Sequence, residues 1–197
     1  MIGPSSKPAV IGGPGVVGTA MSSQTFQAHC SCGRVVLEGT GAPLATCACY
    51  CNDCQAAGKL IDAMPGGHGG VLADGGTISV LFRKDRMSPA LGSELLVEHK
   101  LHPSSPAKRL IASCCNSNMA TTFDNWLPMA ALRTHSVNAG TVRPQMCIHT
   151  KHAPDASKIL HDAPRSAGVP GGLVLKLLGA VAALALKRVP LADGRMS

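Results

Sequence analysis

The chain has 197 residues and a net charge of +7, and 45% of its residues are hydrophobic, but it contains only three Phe, one Trp and one Tyr. This length suffices for one domain with its own core, although a core with so few rings is thin and a bound metal would stabilise it. The charge is uneven, since residues 1–99 carry 6 basic and 7 acidic side chains and residues 100–197 carry 12 and 4. Because no run of Lys or Arg exceeds two and no aromatic residues lie among them, specific nucleic-acid binding is not expected.

The first segment, residues 1–24, is rich in Gly, Pro and Ser without periodicity, which predicts a disordered leader. Met21 begins the stretch MSSQTFQAHCSCG, which reads as an ordinary protein start, so either the true start lies near Met21 or residues 1–20 are a flexible leader. One Lys before a stretch broken by Gly and Pro is a poor export signal. We therefore expect a cytoplasmic protein with reduced thiols.

Residues 25–136 contain short β-like runs separated by turns, which predicts a mainly β domain. Between the first two runs, Asn52 and Asp53 predict the cap of a helix that continues to about Met64 and ends before Gly66 and Gly67. The predicted strands are Arg34–Glu38, Thr77–Arg83, Glu94–Leu101, Arg109–Ser113 and Met129–Ser136.

Residues 137–169 are rich in Pro, His and Lys and predict an irregular linker. Within it, Cys147, His149 and His152 are either a metal-binding group or chance residues of an irregular segment. Residues 170–188 predict an apolar C-terminal helix, followed by a tail at 189–197. The apolar part from Leu173 to Leu186 would span about 21 Å, against about 30 Å of hydrocarbon. We therefore expect no transmembrane span, but packing on the domain, self-association with a second subunit, or binding at a membrane surface.

Nine cysteines form three groups and one isolated residue. Disulfides explain them poorly, because the number is odd and cysteines one residue apart rarely suit S–S geometry. A redox pair at Cys51 and Cys54 would need a strand-to-helix turn in a βαβ unit. The groups are Cys30-Ser31-Cys32-Gly33, the stretch from Cys47 to Cys54 with Cys49 and Cys51, and Cys114-Cys115.

A metal site uses more of these thiols at once, because short C-x-C and C-x-x-C loops let thiolates converge on one ion at about 2.3 Å. Four thiolates from distant segments would close a structural site. Three from one loop, Cys49, Cys51 and Cys54, would leave a position for water or substrate. Cys47 is either a small buried residue or an additional ligand. An iron–sulfur cluster on Cys47 and the same three thiols is the alternative to zinc.

The succession C-x-C-G, C-x-C-x-x-C and a later cysteine motif resembles the glutathione-dependent formaldehyde-activating enzyme/centromere protein V family over residues 26–136. The stretches YCNDCQ, LADGGT and ASCCNSN look closest to a bacterial branch of it. The resemblance implies a small zinc-bound β-tent of short antiparallel strands. It also implies two zinc ions, a structural one bound by Cys30, Cys32 and the third motif, and a reactive one bound by Cys49, Cys51 and Cys54.

The third motif departs from the family pattern C-x-x-C-G-[ST]-P. Aligning Cys115-Asn116-Ser117-Asn118 with its second half places Ala112 where the first cysteine belongs. Cys115 is then one ligand of the structural ion. Either Cys114 supplies the fourth, or Asn118 or a histidine completes the site.

The resemblance implies a carbon–sulfur lyase that acts on the adduct of glutathione and formaldehyde, or on other thiol–aldehyde adducts. The sequence identifies no general base: His68, His99 and His102 are candidates only because they lie inside the domain. Asp53 and Gln55 flank the ligands and either orient them or simply begin the helix. The alternative is a non-catalytic zinc module for structure or interaction, which the altered third motif and the basic second half favour.

Overall fold

A computed structural model describes residues 25–134, 142–159 and 162–188. The predicted leader, the tail and parts of the predicted linker lie outside these residues. The described chain forms ten strands and two α-helices. They are β1 Thr25–His29, β2 Val36–Thr40, β3 Ala45–Cys49, α1 Asn52–Asp62, β4 Thr77–Arg83, β5 Met87–Leu91, β6 Leu96–His99, β7 Ala107–Ala112, β8 Ser117–Phe123, β9 Met129–Arg133, β10 Met146–Ile148 and α2 Gly171–Arg188.

The strands form two sheets. A three-stranded antiparallel sheet has the order β1-β2-β5, and a seven-stranded sheet has the order β10-β3-β4-β9-β8-β7-β6. All pairings of the large sheet are antiparallel except that of β10 with β3. The predicted mainly β class with a C-terminal helix is confirmed. The parallel pair differs from the expected antiparallel arrangement because β10 joins the sheet edge after a long connection.

The main core lies between one face of the large sheet and the small sheet. Leu37 of β2 and Phe82 of β4 are 1% and 0% exposed, and Leu132 of β9 packs in the same cluster. The rings of Phe26 and Phe82 meet edge to face with centroids 5.5 Å apart. With so few rings, the core depends on this one aromatic pair and on aliphatic packing.

The opposite face of the large sheet is covered by α2. Leu173 is buried and Leu177 is partly buried, and both pack against Leu81, Ala131 and Ile148. The outer side of α2 leaves Leu175 70% exposed and Leu178 54% exposed. Among the described residues, no helix is both long and apolar enough to cross a membrane. Self-association through α2 stays a prediction.

Several element boundaries differ from the predictions. The helix cap is Cys51, not Asn52 or Asp53, because the Cys51 sulfur accepts the backbone N–H of Cys54 at 3.4 Å. Within the predicted irregular segment 137–169, β10 forms because the backbone N–H of Tyr50 needs a partner and finds the carbonyl of Ile148 at 3.0 Å. The pattern also missed β1, β3, β5 and β8. β1, β3 and β5 have only five residues each, and β5 contains a proline, which only an edge strand tolerates. β8 has seven residues, but it begins with Ser117 and Asn118, which are typical of turns.

Candidate metal centres and the adjoining cavity

Two turns at one end of the molecule bring four thiols together. The turn between β1 and β2 carries Cys30 and Cys32, and the turn between β7 and β8 carries Cys114 and Cys115. Gly33 adopts φ 76° in the first turn and its N–H bonds the carbonyl of Cys30, which folds the loop back on itself. The four sulfur atoms lie within 4.8 Å of one another and form what we call the four-thiol cluster.

The separations in the four-thiol cluster fit a metal and exclude a disulfide. The sulfur of Cys114 lies 3.3 Å from that of Cys32 and 3.8 Å from that of Cys30, and Cys30 and Cys32 are 3.5 Å apart. Tetrahedral thiolates 2.3 Å from a zinc ion would be about 3.8 Å apart, whereas a disulfide is about 2.05 Å long. Cys114 therefore lies where the fourth ligand is needed, although the family pattern lacks a cysteine at that position.

Polar neighbours stabilise anionic sulfur in this cluster. The Arg34 guanidinium donates to the Cys32 sulfur at 3.5 Å and lowers the pKa of that thiol. Burial opposes ionisation of Cys115, but hydrogen bonds from Ser117 and Ser31 outweigh it and lower the pKa of Cys115 to about 5. Burial and neighbouring thiols raise the pKa of Cys114 to about 12. Ionisation is therefore favoured at Cys32 and Cys115 and opposed at Cys114.

The second group, Cys49, Cys51 and Cys54, forms the three-thiol cluster, whose sulfur atoms also lie within 4.8 Å of one another. Cys49 ends β3, Cys51 caps α1, and Cys54 lies in its first turn. The unpaired N–H groups at a helix start favour negative charge. The pKa of Cys54 is held well below its usual range, because the thiols of Cys49 and Cys51 and the guanidinium of Arg133 stabilise its thiolate.

The three-thiol cluster lines a cavity of about 290 Å³ on the α2 side of the large sheet. Strand register explains the lining: Arg109 pairs with Thr121, and Ser79 pairs with both Arg133 and Cys47. Residues that pair directly across strands point to the same face. Most of the remaining lining is apolar, with Leu81, Phe123, Leu127, Met129, Leu173 and Leu177.

Two arginines in the cavity wall are almost fully buried, Arg109 at 1% and Arg133 at 2% exposure. Arg133 donates to the hydroxyls of Ser79 at 2.9 Å and Thr121 at 2.7 Å. Arg109 donates to the carbonyls of Ala107 and Asp53. Neither forms an ion pair with a described carboxylate, and the Nε–H of each is buried without a partner.

A hydrogen-bonded support holds the loop of the three-thiol cluster. The Gln55 side chain donates to the carbonyls of Tyr50 at 2.7 Å and His152 at 2.9 Å. The Tyr50 hydroxyl donates to Asp74 at 2.7 Å. Gln55 therefore ties the loop to the chain after β10. Asp53 contributes its carbonyl to Arg109, and its own side chain is exposed at the cavity.

The other candidate residues lie elsewhere. Cys47 lines the cavity but is not part of the three-thiol cluster, so four thiols for an iron–sulfur cluster are not brought together there. Burial raises the pKa of Cys47 to about 12. Cys147 packs on the opposite face of the sheet beside Tyr50, so it does not join His149 and His152 in a metal site.

Among the histidines, His149 lines the cavity, and burial lowers its pKa. Its φ of 56° is unusual for a residue other than glycine. The candidate bases His68, His99 and His102 do not line the cavity. The sequence did not single out Arg109 or Arg133, although Arg133 is the one charged residue of the apolar strand β9, which is a detectable signal; Arg109 follows Lys108 in β7 and gives no such signal.

Residues 25–63, which contain the first two cysteine motifs, match the family described as glutathione-dependent formaldehyde-activating enzyme, GFA. No curated protein matches the chain. Among solved structures, it is similar to a Rhodobacter sphaeroides protein, a Northeast Structural Genomics target, at 15% identity and a TM-score of 0.42, over 71% of this chain and 99% of that chain.

Proposed function

We propose that this chain is a GFA-type protein that binds two zinc ions and catalyses the making or breaking of a carbon–sulfur bond in thiol–aldehyde adducts, of which the glutathione–formaldehyde adduct is one. One observation carries the proposal: the three-thiol cluster lines a cavity, and the four-thiol cluster does not. Three protein ligands beside a cavity are typical of a catalytic zinc, and four thiolates are typical of a structural one.

In the proposed reaction, an S-hydroxymethyl thiol, R–S–CH₂–OH, gives the thiol R–SH and formaldehyde. The C–S bond breaks, its electron pair goes to sulfur, and the hydroxyl proton is transferred so that a C=O bond can form. Zinc bound by Cys49, Cys51 and Cys54 would supply Lewis-acid stabilisation of a thiolate. The guanidiniums of Arg109 and Arg133 favour the same negative charge, because they lie in the wall of a mostly apolar cavity.

His149 is the proposed proton carrier. It is the histidine among the described cavity-lining residues, and its lowered pKa keeps the imidazole neutral at neutral pH, so that it can accept the hydroxyl proton. The backbone N–H of His149 bonds the carbonyl of Gly168 at 3.1 Å, which fixes the position of the residue against the segment that precedes α2.

The non-catalytic alternative is favoured by one observation, the apolar outer side of α2, where Leu175 and Leu178 are exposed. On that reading both metal ions are structural and α2 binds a second subunit. The two functions differ in what the loss of one thiol does: an open site loses turnover, whereas a structural site loses the fold.

The test begins with zinc and iron per chain in protein purified reduced and without added metal, with two zinc ions expected. NMR then follows exchange between formaldehyde and its thiol adduct. Cys54→Ser should abolish this exchange and leave the four-thiol cluster loaded. Cys147→Ala is the matched control, because this thiol lies outside both clusters, and it should keep both zinc ions and the activity. Iron in place of zinc, or a Cys54→Ser chain that unfolds, would contradict the proposal.

A further inference from the structure

The cavity beside the three-thiol cluster contains more positive charge than its protein groups neutralise. Arg109 and Arg133 are nearly fully buried, and no described carboxylate pairs with either. A buried charge without a partner costs several kcal/mol, so a protein that retains two of them has a compensating group in the same place. The three thiolates supply part of that compensation.

The sum of the charges in the site shows how much positive charge is left unbalanced. This step rests on the proposed function, in which the three-thiol cluster binds a divalent ion. The three thiolates then carry −3, the ion +2 and the two guanidiniums +2, which leaves one positive charge in the site. The exposed carboxylate of Asp53 lies at the cavity but is screened by solvent. His149 is neutral and adds no charge.

The hydrogen bonds of the two arginines indicate which of them is available to bind an anionic ligand. A guanidinium has five N–H donors, and two from each arginine have partners. Both arginines have an Nε–H without a partner. The bonds of Arg133 to two hydroxyls are 2.9 and 2.7 Å long, whereas those of Arg109 to two backbone carbonyls are 3.3 and 3.1 Å long. Cys54 and Asp53 act on Arg109 electrostatically without a hydrogen bond from their side chains, so Arg109 is the more weakly bonded of the two and the one we assign to a ligand.

We propose that the cavity selects a small thiol that carries a single carboxylate, or the aldehyde adduct of such a thiol, and that Arg109 is the residue that recognises the carboxylate. In the aldehyde adduct, whose sulfur is uncharged, one carboxylate balances the site, whereas a phosphate dianion would exceed the balance. A planar carboxylate matches the guanidinium fork. The volume of about 290 Å³ lies at the small end of ligand cavities. The apolar remainder of the wall suits a short alkyl chain between sulfur and carboxylate.

A pair of probes that differ only in charge tests this proposal. Binding of 3-mercaptopropionate and of 3-mercaptopropionamide to the zinc-loaded protein is measured by calorimetry, and to the cobalt-loaded protein by its visible spectrum, which reports thiolate binding at the metal. The acid should bind about tenfold or more tightly than the amide, as expected for a charge-assisted hydrogen bond in a buried site. Equal affinities in the unmodified protein would overturn the proposal without any variant.

Single-residue variants then show which side chain causes the preference for the acid over the amide. Arg109→Met should reduce the ratio of the two affinities to about one, while the cobalt spectrum still shows thiolate binding. Lys108→Met is the matched control: it removes one positive charge from the same strand, but Lys108 pairs with Glu98 and Asp124 at the surface, so the ratio should not change. If Arg109→Met retains the preference, Arg109 does not recognise the carboxylate. Should that variant not fold, Arg109→Lys preserves the charge without the fork and should reduce the ratio in part.

The outcomes separate this inference from the proposed function. A preference for the acid without any exchange of formaldehyde would support the inference and contradict the lyase. Efficient exchange with neutral and anionic thiols alike would support the lyase and contradict the inference.

Discussion

Gln55 provides the sharpest test of how the three-thiol cluster is held, and we expect Gln55→Ala to destabilise both the fold and the metal site. Gln55 is 9% exposed, and its amide donates to two carbonyls, one of them on the fully buried Tyr50. An unsatisfied buried acceptor costs about 1–3 kcal/mol. The His152 carbonyl is only partly buried and regains water, so loss of its bond adds about 1 kcal/mol, the net contribution of an ordinary hydrogen bond, and the sum is about 2–4 kcal/mol.

This loss of unfolding free energy predicts measurable decreases in Tm and in metal affinity. For a protein of this length, about 2–4 °C of Tm is lost per kcal/mol, so thermal unfolding of the zinc-loaded variant should begin about 5–15 °C lower. The loop with Cys51 and Cys54 also loses its link to the chain after β10. Metal affinity at the three-thiol cluster should fall by about tenfold, as is typical when a residue that orients ligands is removed. A competing chromophoric chelator measures that affinity.

Gln27→Ala is the matched control, because Gln27 is exposed and its amide bonds only Glu38 at the surface. This change should cost no more than about 0.5 kcal/mol and leave both metal affinities unchanged. If Gln55→Ala and Gln27→Ala gave the same Tm and the same affinities, the loop would not depend on the Gln55 amide, and the described support would be wrong.

Three further predictions follow from individual contacts. Cys114→Ser should reduce zinc from two ions per chain to one in elemental analysis, because Cys114 lies 3.3 Å from Cys32 where the fourth ligand belongs; two ions in the variant would assign that ligand to another residue. Gly58→Ala should lower Tm in spite of a helix-propensity gain of about 1 kcal/mol, since the added Cβ would collide with Val71 in the packed interior, and a higher Tm would contradict this packing. The acidic limb of the pH–rate profile should lie below 6.5, because burial lowers the pKa of His149 and activity is lost only as pH falls through that lowered value; an identical limb in His149→Gln would exclude His149 as the proton carrier.

The sequence pattern was sufficient to predict secondary structure where the residues of one segment determine it. Thr77–Arg83 is a strand because seven mostly apolar or β-branched residues are bounded by turns, and Gly171–Arg188 is a helix because its apolar run, broken only by Lys176 before Lys187, contains no proline. The two outer cysteines of C-x-C-x-x-C converge for the same reason, since a strand ends and a helix begins within five residues. Those parts of the site were predictable from residue order alone.

Contacts between distant segments were not predictable in this way. Whether Cys114 reaches Cys30 depends on two hairpin turns that lie 84 residues apart in the chain. The two arginines meet the thiols only because β7, β8, β9, β4 and β3 are neighbours in that order. Each arginine lies in a predicted strand, but strand order and register determine which face it shares with Cys49. Sequence periodicity contains no information about that order.

Contacts between distant segments also connect the surroundings of the two clusters. The loop after α1 is bonded to the β7–β8 turn, since His68 N–H donates to the Asn116 carbonyl at 3.1 Å and Asn118 N–H donates to the His68 carbonyl at 3.0 Å. A metal bound in the four-thiol cluster would fix that turn, and the turn anchors the loop that follows the helix whose start carries Cys51 and Cys54. Loss of the first metal should therefore weaken binding of the second.

Because binding free energies are reciprocal, the factor must be the same in both directions. Metal affinity at the three-thiol cluster in Cys114→Ser, and at the four-thiol cluster in Cys54→Ser, should each fall by a similar factor, about fivefold to tenfold for a coupling near 1 kcal/mol. Asn118→Ala removes the side-chain bond to the Gly69 carbonyl and should reduce that coupling without removing a ligand. If neither Cys114→Ser nor Cys54→Ser changed the metal affinity of the other cluster, the two clusters would not be coupled.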